Sequence, residues 1–259
     1  MGNCCSQTDS ADSPAPRRQH RQGTGEVTIG APQDVMIHIP RNRVDRYGVP
    51  VQQVTRDIGR DVLLAALHHV AGYIAQHGQS ISVIAVGGAV NTLYLQSRQA
   101  THDVDIFGSS FSNQARVLLD EAMNDARRVY RDLGTDWLNT ETQMWMPGPL
   151  HTELTAAAER QNVKVFDMPG LVIYAAPWSY AFSAKVSRIL TGGDQARPYD
   201  LDDAVRYIHE YIRSHGDQPV RLATAAGWAR QFGHESTADF LRTRLNRAYR
   251  REYGRDAFA

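Results

Sequence analysis

The sequence predicts an α+β domain with a mixed sheet flanked by helices, followed by a helical C-terminal part. A long amphipathic helical pattern precedes an apolar run that ends in two glycines, Gly87 and Gly88. Further short apolar runs, at 103–107, 162–166 and 171–176, have the length of strands. From Pro177 onward the apolar spacing is helical, so the C-terminal part is expected to contain helices only.

Each element follows from its own pattern of apolar residues and end signals. The first helix is expected to be capped by Thr55, to carry Asp57 in its first turn and to stop at Gly78. The remaining predictions, in chain order, are a strand at 80–86, a helix at 89–98, a strand at 103–107, a helix at 111–134, strands at 162–166 and 171–176, and helices at 177–190, 200–216, 219–233 and 235–254.

Composition limits the classes of protein to which the chain could belong. Of its 259 residues, 42% are hydrophobic and 22% are charged, and the formal net charge is zero. These values are ordinary for a soluble globular protein, so attraction to nucleic acid or lipid would have to come from local patches. No uninterrupted apolar run is long enough to span a membrane, and no secretory signal is recognisable.

The N-terminus carries a pattern typical of lipid anchors. The first six residues, MGNCCS, place Gly2 where myristate is attached after removal of Met1. Cys4 and Cys5, the only two cysteines, could accept palmitate and indicate a reducing compartment. We therefore predict a location on the cytosolic face of a eukaryotic membrane, with the plasma membrane as the first choice. The alternative is that MGNCCS is merely the start of a disordered tail.

The chain divides into three parts by composition. Residues 1–26 are rich in Ser, Pro, Gln, Gly and charge, so they are predicted to form a disordered, lipid-anchored tether. Residues 27–176 are predicted to form the α+β core, and residues 177–259 the helical C-terminal region.

The two glycines and two nearby aspartates suggest a site for a phosphorylated ligand. A Gly87-Gly88 turn between a strand and a helix lets the backbone approach a ligand closely, and the helix N-terminus favours negative charge. Asp103 and Asp105 lie on one face of the next strand, where paired carboxylates suit Mg²⁺ or Mn²⁺. A phosphate cradle beside such a pair is the equipment of phosphoryl or nucleotidyl transfer.

At these residues the chain resembles the nucleotidyltransferase superfamily, whose pattern is a strand, Gly-Gly or Gly-Ser, a helix and Asp-x-Asp on a strand. It is most similar to the toxin-like nucleotidyltransferases of abortive-infection and toxin–antitoxin systems. The first matching block contains Gly87, Gly88, Ala89, Arg98, Thr101, Asp103 and Asp105. The second contains Lys185, Arg197, Asp200 and Asp203. Together they cover roughly residues 81–208.

The resemblance implies a fold, a reaction and a set of site residues. The fold would be a nucleotidyltransferase-like mixed sheet. The reaction would be Mg²⁺- or Mn²⁺-dependent transfer of a nucleoside monophosphate from a nucleoside triphosphate to a protein, RNA or small-molecule hydroxyl. Gly87, Gly88, Arg98, Thr101 and Lys185 would bind the nucleotide. Asp103 and Asp105 would hold the metal and act in catalysis.

Active members of the superfamily usually add a third carboxylate on a neighbouring strand. Asp167 is the first candidate for it, although its position also suits a turn residue. Glu141 and Glu153 are weaker candidates. Without a third carboxylate the domain could be a catalytically inactive nucleotide-binding module or a membrane-anchored scaffold.

Structural alternatives remain open for several of these residues. The glycine pair could form an ordinary turn, and the aspartate pair could be exposed strand residues. Lys185 could be a surface lysine, and Arg197, Asp200 and Asp203 could form a helix cap with ion pairs. Residues 137–139 and Trp145 could form the floor of a pocket for the nucleotide base, or they could simply be packing residues.

Overall fold

A computed structural model describes residues 54–108, 112–140, 146, 148–193 and 196–259. The predicted lipid motif, the tether and the predicted start of the core near Val27 lie outside these residues. In the described part of the chain, no helix is long and apolar enough to cross a membrane.

Helices and strands follow in mixed order in the first part of the described chain, and helices alone follow afterwards. The first part contains β1 (Ile58–Gly59), α1 (Arg60–Gln76), β2 (Ile81–Val86), α2 (Gly88–Leu93), β3 (Ala100–Thr101), β4 (Val104–Phe107), α3 (Asn113–Val129), β5 (Leu138–Asn139), α4 (Gly148–Gln161), β6 (Lys164–Met168) and β7 (Leu171–Ala175). The second part contains α5 (Trp178–Thr191), α6 (Asp200–Ser214), α7 (Leu222–Phe232), α8 (Ala238–Phe240), a π-helical turn (Leu241–Leu245) and α9 (Asn246–Tyr253).

The main sheet has five strands in the order β5-β4-β2-β7-β6. Strand β2 pairs antiparallel with β4 and parallel with β7, while β4 pairs parallel with β5 and β7 pairs antiparallel with β6. The predicted α+β class with a mixed sheet is therefore confirmed. A separate two-stranded sheet joins β1 to β3.

Alternating side chains of the strands divide the sheet into two faces. Val83, Val104 and Leu138 belong to the larger hydrophobic cluster, which also contains buried side chains of α1 and α3. Ile84 and Phe107 belong to a smaller cluster with buried side chains of α4. The two faces thus pack against different helices, and α4 lies on the face that also carries the side chain of Asp105.

The C-terminal helices share a core with the sheet. The larger cluster includes Ile173 of β7, Phe182 of α5, Ile208 of α6 and Phe258 near the C-terminus. The predicted division after residue 176 therefore does not separate two hydrophobic cores.

The structure corrects several predicted helices, including the two that flank β2. The first begins at Arg60 and not beside Thr55, because Ile58 and Gly59 pair with Thr101 and Ala100. The second, α2, has only six residues and ends at Leu93, short of the predicted range 89–98. Four elements were not predicted: the short strands β1, β3 and β5, and the helix α4.

The chain's last residues are held by one buried side chain. Asn246, directly after the π-helical turn, accepts hydrogen bonds from the backbone N–H groups of Ala257 and Phe258 at 3.0 and 2.9 Å. Its amide group donates to the carbonyl of Phe258 at 3.0 Å. The tail also forms a bridge with Val220, so it is anchored by both side chain and backbone.

Candidate functional site

The glycine turn lies between β2 and α2, as the sequence predicts. Gly87 is the N-cap of α2 with φ +69° and ψ −135°, a conformation that costs a side-chain-bearing residue free energy. Its carbonyl oxygen accepts a hydrogen bond from the hydroxyl of Tyr207 at 3.2 Å. Tyr207 is buried on α6, so a helix of the C-terminal part stabilises the turn from its buried side.

Gly88 is glycine for a different reason, namely close packing. A Cβ atom at this position would overlap the hydroxyl oxygen of Thr101 and would stand 3.2 Å from the Thr101 Cβ. It would also stand 3.6 Å from Nη1 of Arg98. Arg98 and Thr101 therefore lie directly against the turn.

Only one of the two aspartates predicted to share a strand lies on β4, because the strand begins at Val104. Asp105 on β4 lies opposite Val86, the last residue of β2, so its half-buried side chain is beside the Gly87-Gly88 turn. Asp103 precedes β4 by one residue and is also half-buried. The Thr101 hydroxyl donates to the backbone carbonyl of Asp103 at 3.1 Å, which ties this residue to the packing around Gly88.

Arg98 is bound on two sides by groups from the C-terminal part. Its guanidinium pairs with both carboxylate oxygens of Asp203, with Nε 3.2 Å from Oδ1. The same guanidinium lies 3.7 Å from the ring centre of Tyr199, in cation–π geometry. The planar, bidentate fork of arginine suits this arrangement, and it fixes Arg98 beside Gly88.

Lys185 lies inside the protein, which rules out the alternative of a surface lysine. Its side chain is 7% exposed, and its ammonium nitrogen is 2.7 Å from Asp200 and 2.8 Å from Asp203. Arg188 approaches Asp200 at 3.8 Å. Together with Arg98 these residues form an ion cluster of three cations and two carboxylates, among the described residues. The ion pairs suggested for Asp200 and Asp203 are present, but the suggested cap is not, since the N-cap of α6 is Tyr199 and has no side-chain cap hydrogen bond.

Arg197 is bound to the ion cluster through Asp200 and Tyr199. Its backbone N–H donates to Asp200 at 2.9 Å, and its guanidinium donates to the Tyr199 hydroxyl at 2.8 Å. Burial opposes the charge of Arg197, but Tyr199, Asp200 and Asp103 outweigh burial and raise its pKa. Burial would likewise raise the pKa of Asp200, yet Lys185 and the Arg197 N–H hold that pKa below its usual value.

Asp167, the predicted third carboxylate, is not brought to the aspartate pair. It lies on the edge strand β6, which β2 and β7 separate from β4. Its exposed carboxylate pairs with Lys164 at 2.6 Å. The sequence pattern could not show this, because strand order in the sheet depends on long-range pairing.

The two weaker candidates for the third carboxylate have different outcomes. Glu153 lies on α4 and accepts a hydrogen bond from Gln231. Glu141 lies outside the described residues. On the two strands that flank β4, the residues opposite Asp105 are Val86 and Asn139.

The predicted base pocket loses two of its members, because Leu138 and Trp137 belong to the larger hydrophobic cluster. Trp137 is fully buried, and its indole N–H points to the carbonyl of Met123 in α3 at 3.4 Å, so it packs in the core. Trp145 lies outside the described residues.

The aspartate pair fits a magnesium-type ion in its chemistry. Within the described ranges, no group of three or more His, Cys, Asp or Glu side chains is arranged to hold a metal. Mg²⁺ commonly takes only one or two carboxylates from a protein and completes its shell with water and phosphate oxygens. Asp103 and Asp105 could supply such a partial ligand set.

Sequence reasoning missed Tyr207 and Arg188. Tyr207 follows Asp203 by four residues, and Arg188 follows Lys185 by three, so each shares a helix face with a residue already singled out. That spacing was the available signal.

Comparison of the chain with protein-family models, curated proteins and solved structures found no match.

Proposed function

We propose that the protein is a metal-dependent nucleotidyltransferase-like enzyme. It would transfer a nucleoside monophosphate from a nucleoside triphosphate to an acceptor hydroxyl on a protein, an RNA or a small molecule. In this reaction the acceptor hydroxyl gives up its proton to solvent and its oxygen bonds to the α-phosphorus, while the bond from that phosphorus to the bridging oxygen breaks and pyrophosphate leaves.

One observation carries the proposal. The glycine turn after β2 stands beside an antiparallel strand whose aspartate, Asp105, lies opposite Val86 at the end of β2. Backbone at Gly87 can approach phosphate oxygens closely, because Gly87 has no side chain and no described atom lies within 4 Å of where its Cβ would stand. Helix α2 is too short for its dipole to contribute much, so the argument depends on the turn and the carboxylates.

The surrounding cations support a triphosphate at this place. Arg98 lies against Gly88, and the negative charge of Asp103 contributes to the raised pKa of Arg197, so positive charge acts on both halves of the site. A bound Mg²⁺ or Mn²⁺ would neutralise phosphate charge and align the attacking hydroxyl. Lys185 would act through Asp200 and Asp203, by keeping Arg98 and the backbone of Arg197 in position.

The test is incubation of the full chain with each α-labelled nucleoside triphosphate and Mg²⁺ or Mn²⁺, with and without cell extract. We expect a labelled acceptor, or self-labelling, that disappears in Asp103→Asn and Asp105→Asn. Asp167→Asn is the matched control, because its carboxylate lies at the far edge of the sheet and its loss should leave labelling unchanged. Labelling that survives in the Asp103→Asn/Asp105→Asn double variant would place the chemistry elsewhere.

A catalytically inactive nucleotide-binding or scaffold module is the second candidate. Val86 and Asn139 oppose Asp105 on the flanking strands, and neither is a carboxylate. Binding of a triphosphate with Mg²⁺ but no release of pyrophosphate would favour a nucleotide-binding module. Absence of both metal and nucleotide binding would favour a scaffold.

The proposal extends to the location of the protein. Myristate on Gly2 gives weak membrane contact, and palmitate on Cys4 and Cys5 makes it stable, at about 0.8 kcal/mol for each buried methylene. The domain would then act on the cytosolic face of a eukaryotic membrane. Gly2→Ala should move the protein to the soluble fraction, and Cys4→Ser/Cys5→Ser should disperse it. Equal membrane fractionation of Gly2→Ala and wild type would refute the lipid anchor.

A further inference from the structure

The strand pairing around Asp105 determines which residues could complete a metal site. Strand β4 has two neighbours in the sheet, β2 and β5. The residues opposite Asp105 are Val86 on β2 and Asn139 on β5. Their side chains share its face, because residues in register across neighbouring strands point the same way. The next pair, Val104 and Leu138, points to the other face and into the larger core cluster.

Asn139 therefore occupies a position from which a side chain can act together with Asp105. Neighbouring strands lie about 4.8 Å apart, which is within reach of two side chains that share one cation. Asn139 is 3% exposed, and its amide donates to the backbone carbonyl of Asp136 at 3.3 Å. The buried position is thus filled by a neutral amide and not by a carboxylate.

We infer that the site holds one divalent cation, between Asp103 and Asp105, because Asn139 stands where a second cation would need a third carboxylate. This inference depends on the proposed function. Two carboxylates balance the charge of a single dication. A second dication about 4 Å away would add repulsion that the neutral Asn139 does not offset. The buried carboxylate of Asp136 lines a small cavity with Asp103, but among the described residues it does not join the pair as a third metal ligand.

The inference makes Asn139 the residue that sets the number of bound metal ions. In Asn139→Asp a third negative charge would lie beside Asp105 and would be costly without a cation, because like charges in a shared, desolvated place repel. A second dication would remove that cost. The variant should therefore be less stable than wild type in EDTA and should gain more from added Mn²⁺.

The experiment is a Mn²⁺ titration of the free full-length protein, with free Mn²⁺ measured by electron paramagnetic resonance. We expect one Mn²⁺ per chain in wild type and in Asn139→Ala, and two in Asn139→Asp. Loss of the single Mn²⁺ in Asp105→Asn would assign it to the aspartate pair. Glu141→Gln is a further control and should leave the count at one. Thermal melts of Asn139→Asp in EDTA and in Mn²⁺ give a second readout that needs no stoichiometry.

Each contrary result has a distinct meaning. Two Mn²⁺ in wild type, or one Mn²⁺ with unchanged affinity and no extra Mn²⁺ stabilisation in Asn139→Asp, would overturn the inference and leave the proposed function standing. Loss of one of two ions in Glu141→Gln would identify the residue that supplies the missing charge. No bound Mn²⁺ in wild type, or Mn²⁺ binding unaffected by Asp105→Asn, would overturn both the inference and the metal site of the proposed function.

Discussion

Replacement of Gly88 by alanine tests the packing that joins the glycine turn to the aspartate pair. The new Cβ would overlap the Thr101 hydroxyl and stand 3.2 Å from the Thr101 Cβ. Overpacking of this kind costs roughly 1–3 kcal/mol, against a gain in helix propensity of at most about 1 kcal/mol. Thr101→Ala alone should cost about 1 kcal/mol, because the hydrogen bond to the Asp103 carbonyl is lost.

The double variant separates steric overlap from other effects. In Gly88→Ala/Thr101→Ala the hydroxyl is absent, and only the tight contact to the Thr101 Cβ remains. We therefore expect the double variant to be at least about 1 kcal/mol more stable than the sum of the single effects implies. Equilibrium unfolding in urea, followed by tryptophan fluorescence, gives the four free energies of the cycle.

Gly87→Ala provides the matched control for this cycle. No atom of the described residues lies within 4 Å of a Cβ at Gly87, so we expect its substitution to be costly through its positive φ. Thr101→Ala should not relieve that cost, and the Gly87 cycle should be additive. Additivity within about 0.5 kcal/mol in the Gly88 cycle would refute the packing argument.

Three further predictions concern stability. Asn246→Ala should lower the unfolding free energy by roughly 2–4 kcal/mol, because buried backbone groups of the tail lose their hydrogen-bond partners. Asn124→Ala, on an exposed helix face, should have little effect. Equal urea midpoints for the two variants would contradict this. Lys185→Met should cost about 3–5 kcal/mol by leaving two buried carboxylates without their shared cation, while Lys164→Met, at an exposed pair, should leave the midpoint unchanged. Burial lowers the pKa of His234 from 6.5 to about 4, so the unfolded chain binds a proton at a higher pH than the folded chain. As the pH falls from 6.5 to 4, the free energy of unfolding should therefore decrease by up to about 1.4 kcal/mol per pH unit. His234→Phe should remove this part of the loss, as measured by urea midpoints at pH 7 and pH 5, and identical pH dependence in both proteins would rule it out.

The sequence predicted best those elements whose signal is local. Strands β2 and β4 are short apolar runs, and the glycines between them mark a turn by their chemistry alone. Helix α4 escaped prediction because it begins with Gly148-Pro149 and lacks a strong apolar stripe. The two-residue strands β1, β3 and β5 are too short to show any alternation.

The candidate site was predictable only in part, for a related reason. The neighbourhood of Gly87-Gly88 and Asp105 follows from one hairpin-like pairing, so their order in the chain was informative. The placement of Asp167 and of Asn139 depends on strand order, which local patterns do not encode. The burial of Lys185 depends on how α5 and α6 pack, and an amphipathic pattern alone does not decide which polar residues face inward.

The bonds that hold the glycine turn have a consequence for how the protein folds. Arg98 and Asp203 are 105 residues apart, and Gly87 and Tyr207 are 120 residues apart. Closing such long loops is entropically costly and slow, so we expect the site to be completed late in folding. During synthesis from the N-terminus, the turn and the aspartate pair would emerge long before the helix that clamps them. A chain released before α6 is made would contain every residue of the first matching block. It would still lack the hydrogen bonds that Asp203 and Tyr207 of α6 form with Arg98 and Gly87.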